Sequence, residues 1–202
     1  LEINNKSVKL RGGCIHHDNG ILGSRAIDYA EERKVKILKD AGFNAIRSAH
    51  NPASKALLSA CDKYGMYVMD EAFDQWQFMK VEYDYSIYFD EQHEADLRAM
   101  IRKDISHPSV IMYSIGNEIG DTGKQSGVEI SRELARICHE EDNTRPVVNC
   151  INPVVSSMGG SKSKCTSLDV VNPYEETKNS QATASLLANI IVTVVPFIRK
   201  IM

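Results

Sequence analysis

The residue pair best suited to chemistry in this 202-residue chain is Asn117-Glu118, an amide beside a carboxylate. The pair ends an apolar run, Ser109 to Gly116, that follows Pro108 and is short for a helix. Such a run predicts a fully buried strand, and α/β folds place their chemistry where buried strands end. A glutamate there can donate and accept a proton, while the amide can hold a polar group. The alternative interpretation is that the pair simply begins a solvated loop.

Strand-like and helix-like segments alternate around this run. The predicted strands span about 8–15, 43–48, 66–69, 109–116, 146–150 and 168–171. Helices are predicted over about 27–41, after the capping residue Ser54 up to Gly65, through the apolar stripe 97–105, and over 125–141. Alternation with short links predicts parallel strands joined by right-handed crossovers. A closed barrel and an open doubly wound sheet both fit this pattern.

The distribution of polar residues favours the barrel. Polar clusters follow the first four predicted strands alike, which suits a barrel because it gathers all strand ends on one face. No glycine-rich phosphate turn follows a strand, since Gly12-Gly13 lies within the first one. We therefore predict an α/β fold, a (β/α)8 TIM barrel in residues 1–171 that is incomplete, with about six β/α units recognisable. We expect residues 172–202 to be an atypical C-terminal tail, with completion of the barrel in a non-standard way as one possible arrangement.

Composition narrows the range of partners. The net charge of -3, with no basic run interleaved with aromatic residues, argues against nucleic-acid binding. The apolar stretch 186–198 is too short and too interrupted to span a membrane, which takes about 20 apolar residues. The chain begins at Leu1 without a targeting segment, so we expect a piece of a longer protein with further domains, and its compartment stays unassigned. The five cysteines are Cys14, Cys61, Cys138, Cys150 and Cys165, and they lack metal-site spacing. All except Cys165 lie in apolar strand-like or helical patterns and are predicted to be reduced core residues.

Several motifs, taken in order, resemble the catalytic barrel of glycoside hydrolase family 2, which includes β-galactosidases, β-glucuronidases and β-mannosidases. The resemblance covers about Lys9 to Val171. Its motifs are Leu10-Arg11-Gly12-Gly13 with His16-His17-Asp18, Gly42-Phe43-Asn44-Ala45-Ile46-Arg47 with Ser48-Ala49-His50-Asn51-Pro52, Cys61-Asp62-Lys63-Tyr64-Gly65 with Val68-Met69-Asp70-Glu71-Ala72, and His107-Pro108-Ser109-Val110 through Gly116-Asn117-Glu118.

The resemblance implies roles for two strand-end residues, and the chemistry of the other strand-end residues suggests roles for them. Glu118 takes the position of the general acid/base, and Asn117 the position that hydrogen-bonds the sugar 2-hydroxyl. His50 can bind a sugar hydroxyl or be structural, and Arg47 can orient a carboxylate or form a structural ion pair. Asp74 and Trp76 suit a carboxylate and a stacking ring for a sugar, although Trp76 can equally fill the core. The turn after the first strand contains His16, His17 and Asp18, which either bind the sugar or are simply solvated. We interpret Asp70 and Glu71 as structural.

The chain departs from the family pattern in two places. Family members with a magnesium site carry Glu and His where this chain has Gln75 and Gln77, and neither amide suits a hard cation. We therefore predict no metal there, and no cofactor motif is present in the sequence. The nucleophile cannot be placed, because neither Glu175 nor Glu176 lies on a credible seventh strand.

These observations lead to two hypotheses. The first is a retaining β-glycoside hydrolase, β-galactosidase-like, whose substrate is a carbohydrate and whose isolated 202-residue chain is nearly inactive. The second is a non-catalytic carbohydrate-binding or scaffold protein derived from such a barrel.

Overall fold

A computed structural model describes residues 1–152 of the chain. A small antiparallel hairpin, β1 (Glu2–Ile3) and β2 (Lys6–Ser7), precedes the main sheet and was not predicted. Its turn consists of Asn4 and Asn5, both at positive φ of 52° and 59°. Asparagine tolerates this conformation better than most residues, so the turn lacks the glycine that usually identifies a hairpin in a sequence.

The main sheet has five parallel strands. They are β3 (Gly12–Ile15), β4 (Ala45–Ser48), β5 (Tyr67–Glu71), β6 (Val110–Asn117) and β7 (Val147–Cys150). Their spatial order equals their chain order, so the described sheet contains no reversal. An open doubly wound sheet needs such a reversal at its switch point. The arrangement is that of a partial TIM barrel, and the predicted fold class is confirmed for these strands.

Four helices connect the strands. They are α1 (Asp28–Asp40), α2 (Lys55–Tyr64), α3 (Ser86–Asp104) and α4 (Gln125–Glu141). The predicted end signals of α2 are both present: the Ser54 hydroxyl accepts the Leu57 N–H, and Gly65 ends the helix in the left-handed conformation. The predicted sixth strand, the 172–202 tail and the candidate Glu175 and Glu176 lie outside the described residues.

The core lies between the outward face of the sheet and the helices. Its largest fully buried side chains include Trp76, Tyr113, Phe89, Leu97 and Met100. The free cysteines Cys61 and Cys138 are buried among these residues. On the other face β3 and β4 approach closely at Gly12, where a Cβ would lie 2.6 Å from the Ala45 carbonyl oxygen. The strands therefore present one face to the helices and the other to the barrel interior.

No helix among residues 1–152 has the length and apolar content required to cross a membrane.

Candidate active site

Asn117 is the centre of a hydrogen-bonded cluster at the carboxyl ends of the strands. Its side-chain oxygen accepts from Arg47 Nη2 at 2.8 Å, and its amide nitrogen donates to Asp74 Oδ1 at 2.8 Å. Its backbone N–H donates to the Phe73 carbonyl at 3.0 Å. The side chain is almost fully buried, with 6% exposure. The amide is therefore held in one orientation by two strands and a loop.

Glu71 anchors the same cluster from β5. This fully buried carboxylate accepts from Arg47 Nε at 2.8 Å, and it also accepts from Ser114 Oγ at 2.6 Å. Its other oxygen lies 2.7 Å from His50 Nδ1. Arg47 and Glu71 thus form a buried ion pair, while the structural role assigned to Glu71 stays a prediction. Asp70 does not form such a pair, because it points to the opposite face of the sheet and meets Asp104 of α3.

His50 follows β4 after a cis peptide bond from Ala49. Its Nδ1 faces Glu71, so its Nε2 is the atom turned away from that anchor. Its ring packs edge-to-face against His16, with centroids 5.1 Å apart. Burial and the two neighbouring histidines lower the pKa of His16. The loops after β3 and β4 therefore meet at this point.

His17 and Asp18 lie in the loop after β3. His17 Nε2 lies 3.3 Å from the Asn51 carbonyl oxygen, which places it beside the His50 loop. Asp18 is exposed and accepts the Gly20 N–H at 2.8 Å, an Asx-type turn. One Asp18 oxygen therefore stabilises its own turn, while a binding role for both residues stays a prediction.

Glu118 leaves the end of β6 with a positive φ of 48°. Its N–H donates to the Cys150 carbonyl at 2.8 Å, which fixes the backbone against β7. The side chain is exposed, and its Oε1 accepts from Asn152 Nδ2 at 2.9 Å. A left-handed conformation is uncommon for a residue with a Cβ and is found at functional positions more often than elsewhere. The turn directs the carboxyl away from the buried strand and towards solvent.

Cys14 on β3 lies beside the charged residues of the cluster. Burial is the main cause of the raised pKa of this thiol, and the charges of Arg47, Glu71 and Glu118 also act on it. Arg47 Nη1 lies 3.8 Å from the Cys14 sulfur. Cys14, Arg47 and Glu71 therefore lie on one side of the sheet, as expected for strand ends that face a common barrel opening.

The structure corrects the prediction that Trp76 stacks on a sugar. Its side chain is fully buried, its indole N–H donates to the Ile115 carbonyl at 2.8 Å, and its ring packs near Phe89. A buried indole that satisfies its N–H internally has no free face for a pyranose ring. Trp76 therefore fills the core beneath the cluster, which was the alternative interpretation.

Asp74 lies in the loop after β5 and contacts the cluster directly. Burial raises the pKa of its carboxyl, but hydrogen bonds from Lys80 and Asn117 outweigh burial and hold the pKa below its usual range. With its amide nitrogen turned towards Asp74, Gln75 donates to Oδ2 at 3.2 Å and accepts the Tyr85 N–H at 2.8 Å. A cavity of about 350 Å³ lies on the other side of Asp74. Asp74 of the cluster lines that cavity, whereas Glu118 does not.

The magnesium-type positions do not fit a hard cation. Gln75 is engaged by Asp74 and Tyr85, and Gln77 donates to Asp90 at 2.7 Å. Residues 1–152 contain no group of three His, Cys, Asp or Glu side chains arranged to hold a metal. The absence of a metal in the protein stays a prediction.

Sequence reasoning missed Lys80, whose ammonium contacts both Asp74 and Asn117. A single lysine in a polar loop carries no motif, and its partners are 6 and 37 residues away. No local sequence signal identifies such a contact.

The fold and this cluster define a class: a parallel β/α barrel with a carboxylate and an amide at the end of β6, the fourth of the five described strands. The model of "Glycosyl hydrolases family 2, TIM barrel domain" matches residues 1–187. The chain therefore belongs to this family.

Individual relatives agree with that assignment. "Beta-galactosidase BoGH2A" of Bacteroides ovatus is 50% identical over 117 residues, which is 58% of this chain and 14% of the relative. A "Putative beta-glucuronidase" of Formosa agariphila is 40% identical over 117 residues, 57% of this chain and 11% of that protein. The crystal structure of a family 2 member from Bacteroides cellulosilyticus is 55% identical with a TM-score of 0.73, over 75% of this chain and 20% of its own. The chain thus spans about one-ninth to one-fifth of the first matched relatives.

Proposed function

We propose that this chain supplies the acid/base side of the active site of a retaining β-glycoside hydrolase that resembles β-galactosidases. Glu118 is the general acid/base, and Asn117 holds the sugar 2-hydroxyl. The observation that carries the proposal is the exposed Glu118 carboxyl, which follows directly on a buried amide held by Arg47 and Asp74.

The proposed reaction requires two carboxyl groups about 5–5.5 Å apart. In the first step Glu118 donates its proton to the glycosidic oxygen while a carboxylate from outside residues 1–152 attacks the anomeric carbon. The leaving alcohol departs with the Glu118 proton, and a covalent glycosyl-enzyme forms. In the second step Glu118 takes a proton from water, whose oxygen replaces the nucleophile on the sugar. An isolated chain in which no carboxylate takes the place of that nucleophile is nearly inactive.

A neutral sugar such as galactose fits the described charges better than an acidic one. Arg47 and Lys80 are the cations that contact Asn117, and each is already paired with a carboxylate, Glu71 or Asp74. Neither cation therefore offers an unpaired charge to a sugar carboxylate at this part of the site. The "Beta-galactosidase" name of the 50% identical relative supports the same choice. Further domains of the intact protein, as in its longer relatives, are part of this proposal.

His50, His17 and Asp18 are proposed to contact sugar hydroxyls at the rim of the site. His50 Nε2 is the strongest of these candidates, because Nδ1 is committed to Glu71 and fixes the ring. Arg47 acts on substrate indirectly, through Asn117.

The test uses chromogenic β-galactosides, β-glucuronides and β-mannosides with the intact protein, its Glu118→Ala variant and the isolated chain. We expect Glu118→Ala to spare aryl glycosides with good leaving groups more than alkyl glycosides, because a good leaving group needs less protonation. Equal loss on both substrate types would contradict the acid/base role. Sugar binding without hydrolysis by the unaltered protein would favour the rival, a non-catalytic carbohydrate-binding protein.

A further inference from the structure

Lys80 lies in the loop between β5 and α3, and its ammonium joins two parts of the cluster. Nζ donates to Asp74 Oδ1 at 2.8 Å and to the Asn117 carbonyl at 2.7 Å. The lysine side chain is 22% exposed, whereas that of Asp74 is 41% exposed. The ammonium therefore sits beneath the rim, and the carboxylate reaches the surface.

The backbone that carries Lys80 is fixed by Asp84. Asp84 Oδ2 accepts the N–H groups of Lys80 at 2.7 Å and Val81 at 3.0 Å. Its other oxygen accepts the N–H and the hydroxyl of Ser86, the first residue of α3, at 3.0 and 2.6 Å. The loop is thereby fastened to the start of a core helix, so the position of Lys80 is set before substrate arrives.

Resting on the function proposed above, we infer that Lys80 is a positioning residue that holds Asp74 for binding of the sugar ring. Asp74 Oδ1 is fully engaged, because it accepts from both Lys80 and Asn117. Oδ2 accepts only from Gln75 among these neighbours, so it retains capacity for a substrate hydroxyl. Lys80 thus selects which oxygen of the carboxylate faces the substrate.

The ammonium also affects the charge of Asp74. Burial raises the pKa of this carboxyl, and the hydrogen bond from Lys80 is the largest of the contributions that lower it. His50 and His16 are the other titratable groups whose charges interact with Asp74. Removal of the ammonium raises the pKa of Asp74, so the carboxyl becomes protonated at a higher pH and loses its ability to accept from two hydroxyls.

A purely structural role for Lys80 predicts different results. If Lys80 only stabilised its loop, its replacement would lower the yield of folded protein or kcat without a specific effect on KM. A positioning residue for a binding carboxylate changes KM and the acid limb of kcat/KM, since that limb reports groups of the free enzyme.

The experiment measures kcat and KM of the intact protein against pH with an aryl β-galactoside. The variants are Lys80→Met, Lys80→Arg and Lys80→Gln, and the matched control is Lys36→Met, whose ammonium forms an exposed pair with Asp40 at the same distance of 2.8 Å. We expect Lys80→Met to raise KM about tenfold, the effect of one hydrogen bond to a charged group, and to move the acid limb to higher pH. Lys80→Arg should keep KM and the acid limb close to those of the unaltered protein, because it keeps the positive charge. Lys36→Met should change neither quantity.

The outcomes separate this inference from the function on which it rests. Unchanged KM and pH profile in a folded Lys80→Met variant would overturn the role of Lys80 and leave the proposed hydrolase standing. If Lys80→Met does not fold, Lys80→Gln gives the answer, because it keeps a donor for the Asn117 carbonyl but lacks the charge. An unaltered protein inactive on every glycoside would instead overturn the proposed function, and the Lys80 inference with it.

Discussion

Asp70 provides a sharp test of the packing behind the candidate site. This fully buried carboxyl accepts the Ala53 N–H through Oδ1 at 2.8 Å, and Oδ2 has no donor within reach. It faces the Asp104 carboxylate, which Lys103 contacts at 2.5 Å. Burial above all, and then Asp104, raises the pKa of Asp70 well above its usual range, while Lys103 opposes the shift. We therefore expect Asp70 to carry a proton on Oδ2 that it shares with Asp104.

The sign of the pH effect follows from this raised pKa. Folded protein binds the Asp70 proton more tightly than unfolded protein does, so its contribution to stability is complete below the unfolded pKa. That contribution is lost progressively as pH rises towards the folded pKa, by about 1.4 kcal/mol per pH unit. Asp70→Asn removes the titration and supplies an N–H donor for Asp104. The free energy of unfolding of Asp70→Asn minus that of the unaltered chain should therefore be near zero at about pH 4. This difference should increase by up to about 1.4 kcal/mol for each pH unit above that.

Urea unfolding of the 202-residue chain across this pH range measures the difference. The control is Asp142→Asn, where hydrogen bonds from Thr144 and Arg145 outweigh burial and lower the pKa of Asp142 to about 2. The sign is opposite there: Asp142 stabilises the fold above its unfolded pKa, and the effect is lost as pH falls towards about 2. Asp142→Asn should cost about 2 kcal/mol near neutral pH. A pH-independent loss of stability in Asp70→Asn would refute the shared-proton arrangement.

Three further predictions follow from the fold. Trp76→Phe should lower the free energy of unfolding by about 1–3 kcal/mol, because the Ile115 carbonyl loses its buried donor. The same change should leave KM of the intact protein unchanged. A large KM increase without loss of stability would instead support stacking of Trp76 on the sugar. Ser54→Ala should cost about 1 kcal/mol through the lost helix cap, measured by urea unfolding, whereas the exposed mid-helix Ser59→Ala should cost nothing. Treatment with EDTA should leave hydrolysis by the intact protein unchanged, because glutamines occupy the candidate metal positions; loss of activity that is restored by Mg²⁺ would contradict this.

The sequence predicted those elements whose signals are local. The bounds of α4 agree with the prediction at both ends, and α2 has the cap and the glycine that its sequence indicates. The first strand is shorter than predicted, since residues 8–11 do not join the sheet. Trp76 was ambiguous because a lone aromatic residue after a strand suits a core and a binding site equally. Its burial depends on Phe89 and Ile115, which are distant in sequence.

The position of Glu118 illustrates why the rest of the site could not be predicted locally. The cluster that holds the neighbouring amide draws Arg47 from β4, Glu71 from β5 and Asp74 from the following loop. Each contact depends on the register of parallel strands, in which a shift of one residue would turn Arg47 or Glu71 to the helix side. The geometry at residue 118 is therefore a property of the sheet as a whole. For that reason Arg47→Met should disturb catalysis through Asn117 even though Arg47 touches no reacting atom, and Lys80 can act at the same site from a loop without a motif.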